Sequence, residues 1–362
     1  MAKIPVGILG ATGMVGQQYV RLLENHPWFE VVYVAASPQS AGKKYKDALK
    51  NGWIGAGDIP KSVANLIVHD VEKVDEAAEL CTFVFSAFEM PDKEKIRDYE
   101  NAYAAAGMPV FSNASAHRWT DNVPMLIGEI NDDHLSIIPV QQRKNGWTKG
   151  FIVVKPNCSL QSYLTPIHAL IDAGYDVKKL VITTLQAVSG AGYPGVASWD
   201  VIDNVLPYIP GEEEKTEEEP LKILGKVTGG KFAMRKDLAI SAHCNRVNVS
   251  DGHLACVNIL FGKRKPKKET ILKIWKHFRG EPQKLKLPFA PAQPIIYRKE
   301  VDRPQPKRDR DTDKAMAVTV GRLRADNVFD FKFASLSHNT VRGAAGGGIL
   351  AAELAYKKGY LS

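Results

Sequence analysis

The chain has 362 residues, 44% of them hydrophobic and 24% charged, with a formal net charge of +8. That length and balance predict two globular domains of ordinary size and exclude a disordered or fibrous chain. No apolar run approaches the ~20 residues of a membrane span, so no membrane partner is expected. The opening residues, MAKIPVGILG, enter a strand almost at once and leave no room for a signal peptide. Four cysteines without CxxC spacing (Cys81, Cys158, Cys244 and Cys256) suit reduced thiols in a cytoplasmic protein.

Residues Ile4 to Gly16 read as a strand, a glycine turn and a helix start. Gly10, Gly13 and Gly16 give a GxxGxxG spacing, with Thr12 where the standard dinucleotide fingerprint has its middle glycine. The physical logic survives: a tight turn, close backbone approach, and phosphate on a helix N-terminus. The next strand, Phe29 to Ala35, ends in Ala36-Ser37 and not in the acid that binds the ribose of NAD. Ser37 and Ser40, with Lys43 and Lys44 close by, suit a 2′-phosphate, so NADP is the expected cofactor. The two lysines read equally well as charges on a solvated loop. Strand Cys81 to Ala87 carries Ser86 to the carboxyl edge of the sheet, a candidate cofactor contact. A helix from Pro91 to Gly107 and a strand from Pro109 to Ser112 lead into Asn113-Ala114-Ser115-Ala116-His117-Arg118. Polar residues past a strand's carboxyl end are where open parallel sheets bind ligands, which singles out Asn113 and Arg118. The alternation makes residues 1–156 a Rossmann-type, doubly wound α/β nucleotide domain.

Phe151 to Val154 is a buried strand stopped by Pro156, and helical spacing of apolar residues runs from Leu160 to Gly174. Asn157 or Ser159 caps that helix, which puts Cys158 at a strand-to-helix turn. Unpaired N–H groups and the helix dipole there favour the thiolate, and with it a reactive role. Pro166 is a cost inside this helix without a visible reason. After strand Leu180 to Gln186 comes AVSGAGYPGV, a backbone that must turn tightly or approach a ligand; Gln186, Ser189 and Gly190 are its ligand candidates.

Gly211 to Gly225 is acidic and helical until Pro220, with Glu212, Lys215 and Glu219 on one face. A solvated, dipole-favoured face is its simplest reading, and a ligand role for Glu212 and Lys215 the second. Ala239 to Phe261 reads as two strands joined by the turn Ser250-Asp251-Gly252. His253 follows that turn, either as a surface residue or as a catalytic base. His243, Cys244, His253 and Cys256 lack a zinc spacing, and no metal is expected. Lys263 to Lys286 carries ten Lys or Arg against two Glu. Its stripe of Ile271, Ile274, Trp275 and Phe278 marks a docked surface helix, not a nucleic-acid reader. A proline-rich connection, strands Ala315 to Leu323 and Asn327 to Leu336, and a glycine-rich helix from Gly343 to Lys358 complete the chain.

GATGMVG, SNASAHRW, PNCS, LQAVSGAGYPG, GEEEK, NRVNVSDGH and SHNTVRGAAGG stand in the order seen in aspartate-semialdehyde dehydrogenases. The chain resembles that family over almost its whole length, in its archaeal and fungal branch. The resemblance implies a second, α+β catalytic and dimerisation domain with a mixed sheet over 157–339, and a nucleotide domain of 1–156 completed by 340–362. It implies Cys158 as nucleophile with Asn157 beside it, His253 as general acid/base, and Gln186 orienting the substrate. Arg246 would clamp the substrate carboxylate and Glu212 its amino group, while Arg118 and Lys215 would hold phosphate. Thr12, Gly13, Met14, Val15, Ser37, Ser86, Ser189, Gly190 and Asn339 would line the NADP site. The implied reaction is NADP-dependent reductive dephosphorylation of L-4-aspartyl phosphate to L-aspartate 4-semialdehyde through a Cys158 thioester. That step serves lysine, threonine, methionine and isoleucine synthesis. The alternatives are a related acyl-CoA or acyl-phosphate reductase and an NADP-binding redox sensor. A homodimer or dimer of dimers is expected.

Overall fold

The computed structural model describes residues 2–49 and 52–361. Six parallel strands form the first sheet: β1 (Ile4–Leu9), β2 (Phe29–Ala36), β3 (Val68–Asp70), β4 (Phe83–Ser86), β5 (Val110–Ser112) and β6 (Ile152–Val154). Their order is β3-β2-β1-β4-β5-β6, so the chain starts in the middle and winds out both ways. A parallel sheet needs helices on its faces. Here α1 (Met14–Leu23) and α2 (Lys93–Ala105) supply part of that cover. The order reverses beside β1, so the glycine turn after β1 lies at the switch point where such sheets take ligands. Gly10 has φ +74°, and a Cβ there would sit 2.6 Å from the carbonyl oxygen of Ala87, so only glycine fits.

The Cys158 segment departs from the expected single helix. Cys158–Ser162 is one 3₁₀ turn, capped by the Asn157 side chain on the N–H of Ser159, and α3 begins afresh at Leu164 (Leu164–Asp172). Pro166 therefore falls in the first turn of α3, where no N–H is required, which removes its cost.

The second sheet has seven strands in mixed directions: β7 (Val177–Gln186), β8 (Val205–Leu206), β11 (Ala239–Val247), β12 (His253–Phe261), β13 (Ile295–Arg298), β14 (Val318–Ala325) and β15 (Phe331–Ser337). Its order is β13-β14-β15-β12-β7-β11-β8. A separate hairpin holds β9 (Lys226–Thr228) and β10 (Lys231–Ala233). The two strands joined by Ser250-Asp251-Gly252 do not pair with each other: β11 and β12 lie on either side of β7. The connection between them crosses the end of β7, which brings His253 to the strand end that carries Gln186.

Helix α4 (Glu212–Ile223) runs through Pro220 instead of stopping there. The carbonyl of Thr216, which a proline nitrogen cannot serve, accepts from the Tyr163 hydroxyl at 3.4 Å. The basic segment holds α5 (Lys268–His277), docked by buried Ile271 and Trp275, with the Trp275 indole N–H donating to the Pro166 carbonyl at 2.9 Å. The terminal helix α6 (Gly346–Lys357) packs on α1 and β5 of the first sheet.

Beneath the ends of β4 and β5 lies Glu100 of α2, fully buried, accepting from the Ser86 hydroxyl at 2.6 Å and the Ser112 hydroxyl at 2.5 Å. Burial pushes its carboxyl up from 4.5 to about 7 against those two hydrogen bonds. Folding thus favours the protonated form. Stability is greatest below the unfolded value of 4.5 and is lost as pH rises toward 7, by about 3 kcal/mol when complete. Glu100→Gln should match the wild type in denaturant unfolding at pH 4.5 and exceed it increasingly up to pH 8. A gap that stays constant across that range would refute the assignment.

Candidate active site

Cys158 and His253 meet in the cleft between the two sheets. Cys158 Sγ lies 3.3 Å from His253 Nε2, the cysteine partly exposed and the histidine fully buried. On the other ring nitrogen the Ala187 backbone N–H donates to Nδ1 at 3.0 Å. A backbone N–H can only donate, so the proton of the neutral ring sits on Nε2 and points at sulfur. The loop after β7 makes this contact possible because a Cβ on Gly190 would lie 3.0 Å from His253 Cε1 and 2.7 Å from Arg246 Nη1. Arg246 is buried, its Nη1 donating to the Ala187 carbonyl at 2.8 Å. It stands within electrostatic reach of Cys158.

Glu212, at the first position of α4, is the polar hub. Its carboxylate accepts from Asn157 Nδ2 at 2.7 and 2.9 Å, from Gln186 Nε2 at 3.1 Å and from Lys215 Nζ at 2.8 Å. This face of α4 therefore points inward and is not the solvated face of the simplest reading.

The expectation of a resting thiolate is corrected. Burial, and then Glu212, push the Cys158 thiol up to about 12, outweighing the pull of Arg118, Arg246 and Lys215. Burial, then Arg246 and His338, push His253 down to about 3. The one-turn 3₁₀ segment has too small a dipole to compete. Both shifts favour the neutral forms of the pair. The base half of the role expected for His253 is not served either, since its lone pair faces the Ala187 N–H.

Arg118 is buried, its Nε on the Lys155 carbonyl at 3.0 Å and its Nη1 on Glu219 Oε1 at 2.9 Å. The other oxygen of Glu219 accepts from the backbone N–H of Asn157 at 2.7 Å. Glu219 thus holds a candidate phosphate ligand and the cysteine turn together, a part that sequence reading missed. The signal was its place on the face of Glu212, seven residues on.

The glycine turn opens on a cavity of about 590 Å³ lined by Gly10, Thr12, Gly13, Met14, Ser37 and Ser40, together with Glu89 and Tyr193. A positive-φ turn at a helix N-terminus and hydroxyls where an NAD site has an acid make a donor set that fits NADP. Lys43 does not reach in; its Nζ donates to the Gln39 carbonyl at 2.9 Å. Ser86 is also corrected, being fully buried with its hydroxyl turned onto Glu100. The Asn113 amide donates to the Tyr19 hydroxyl at 2.5 Å. The Val15 side chain packs into the core, leaving its N–H as the group facing the cleft. Ser189, Gly190 and Asn339 gather around His253. Asn339 donates to Ser189 Oγ at 2.8 Å and accepts from Gly252 N–H at 2.8 Å.

A dinucleotide fold facing a cysteine–histidine pair defines a dehydrogenase that works through a thiol. Residues 5–138 match the family described as semialdehyde dehydrogenase, NAD binding domain, and residues 167–342 match semialdehyde dehydrogenase, dimerisation domain. The chain is 42% identical over 364 residues to the aspartate-semialdehyde dehydrogenase of Schizosaccharomyces pombe, covering all of both chains. With that of Archaeoglobus fulgidus it shares 43% over 358 residues, 98% of this chain and 99% of the relative. The crystal structure of the Candida albicans enzyme with NADP superposes with a TM-score of 0.91 at 38% identity, covering 99% of this chain and 100% of that one. This chain belongs to the aspartate-semialdehyde dehydrogenase family.

Because Glu212 raises the thiol's affinity for its proton, Glu212→Gln should lower the Cys158 pKa. Each unit of that fall raises the thiolate fraction, and the alkylation rate at pH 8, about tenfold. Peptide mapping of iodoacetamide-labelled protein would separate Cys158 from exposed Cys256. Equal or slower labelling of the variant would contradict the charge balance drawn here.

Proposed function

We propose that this chain reduces L-4-aspartyl phosphate to L-aspartate 4-semialdehyde with release of phosphate, using NADPH, through a thioester on Cys158. This is the aspartate-pathway step toward lysine, threonine, methionine and isoleucine. The observation that carries the reading is the Cys158–His253 contact at 3.3 Å, set between the Glu212 carboxylate and three buried or half-buried cations. Glu212 suits the substrate's ammonium, and Arg246 its carboxylate, whose planar geometry a guanidinium matches. An ammonium on Glu212 offsets the charge that adds to burial in holding the thiol protonated, so binding shifts the sulfur toward its nucleophilic form.

Sulfur then attacks the acyl carbon and the C–O bond to phosphate breaks, with Arg118 and Lys215 meeting the departing charge. The atoms balance if the thiol proton leaves on phosphate as hydrogen phosphate, and His253 need accept nothing. Its Nε2–H instead donates to the oxygen of each tetrahedral adduct. Ser37 and Ser40 would hold the 2′-phosphate of the dinucleotide, and Gly13 and Met14 its diphosphate. NADPH, when bound, supplies the hydride that reduces the thioester. Collapse of the thiohemiacetal on Cys158 frees the aldehyde, and the sulfur takes up one proton. Asn157 and Gln186 hold the Glu212 carboxylate in place throughout.

We read residues 1–156 with 340–362 as the nucleotide lobe and 157–339 as the catalytic lobe. A homodimer or dimer of dimers is the assembly we propose. Exposed Trp199, Ile202, Val205 and Tyr208 near edge strand β8 support it, as an apolar patch that a second copy would cover. Four free thiols support a cytoplasmic setting.

The test is oxidation of a panel of small aldehydes with NADP and phosphate. Aspartate semialdehyde should be oxidised only when phosphate or arsenate is present, and Cys158→Ser should lose at least about a thousandfold in kcat. Phosphate-independent turnover, or preference for a CoA thioester, would sink the assignment.

A further inference from the structure

The N-terminus of α1 has no cap of its own. Gly13 stands at the N-cap position without a side chain, and the first turn contains no acidic residue. The anion that such a terminus favours comes from elsewhere. Glu89, just past β4 and exposed to the cavity, directs its carboxylate there. Two glycines triangulate the position of its Oε2. A Cβ on Gly13 would lie 3.8 Å away, and one on Gly192, in the loop after β7, would lie 3.5 Å away. The carboxylate therefore sits between the helix mouth on one lobe and the catalytic loop on the other, in the wall of the cavity that holds Gly10, Ser37 and Tyr193.

We propose that Glu89 is an internal competitor of the cofactor, its carboxylate standing at the point where the NADP diphosphate must bind. The inference rests on the cofactor reading given above. A diphosphate on that helix mouth would lie against the Glu89 carboxylate, and like charges at that spacing repel. Cofactor entry thus requires the Glu89 side chain to swing out, away from the Gly192 backbone beside which it lies. The residue sets cofactor affinity and ties cofactor entry to the loop that carries Ser189 and Gly190.

The experiment is titration of the full chain with NADP by calorimetry, beside adenosine 2′-monophosphate, which carries the 2′-phosphate but no diphosphate. Glu89→Gln and Glu89→Ala should each lower the Kd for NADP about fivefold, the worth of an anion at a helix N-terminus, and leave the monophosphate's Kd unchanged. Unchanged or weaker NADP binding in both variants would overturn the proposal, the second outcome marking Glu89 as a ligand of the dinucleotide. Equal tightening of both ligands would also overturn it, by showing a general charge effect. Failure of the wild-type chain to bind NADP at all would strike the cofactor reading instead.

Discussion

The Glu212 carboxylate is buried beside a thiol and accepts hydrogen bonds from three separate parts of the chain: the cysteine turn, the end of β7 and the next turn of its own helix. An ionised carboxylate out of water persists only when its oxygens are served this fully. The consequence runs in both directions. Asn157 is held, and with it the turn that presents Cys158. The same negative charge adds to burial in keeping the sulfur protonated. Glu212 thus contributes both to the order and to the inactivity of the empty site.

Helix α4 spreads that arrangement across the cleft. Glu212, Lys215, Glu219 and Lys222 recur at three- and four-residue steps, so they share one face. Glu219 binds Arg118 and the Asn157 backbone, and Lys222 Nζ donates to the carbonyls of Arg118 and Val123 at 2.6 and 3.0 Å. The loop that follows β5 is therefore fastened to a helix of the other lobe. A helix stopped at Pro220 would have left Lys222 outside, which is why the Tyr163 contact with the Thr216 carbonyl matters to the site.

What could be read from the sequence was what local pattern specifies. The glycine turn, the hydroxyls after β2, the cysteine at a strand end and the face shared by Glu212 and Glu219 all follow from spacing within a few residues. Ser86 misled because its partner, Glu100, arrives from the next helix and turns the hydroxyl inward. The thiolate expectation failed for a related reason: a dipole is local, but the desolvation that overrules it is made by the whole cleft. The proton on His253 Nε2 depends on a backbone N–H at Ala187, and a backbone N–H leaves no mark in composition. Strand β3 and the insertion of β7 between β11 and β12 escaped because neighbours in a sheet need not be neighbours in sequence.

Burial, and then the Glu212 charge, favour the protonated form of the Cys158 thiol. Thiolates are also the oxidisable form, so the resting site is shielded from the chemistry that destroys cysteine nucleophiles. That protection would slow the reaction if attack had to wait for a free thiolate. It does not have to, because the group expelled by attack is itself a base, and carries away the proton that Glu212 and burial had held on sulfur. The site needs no resting ion pair between sulfur and imidazole; it needs a neutral donor at Nε2, cations where phosphate departs, and an ammonium on Glu212.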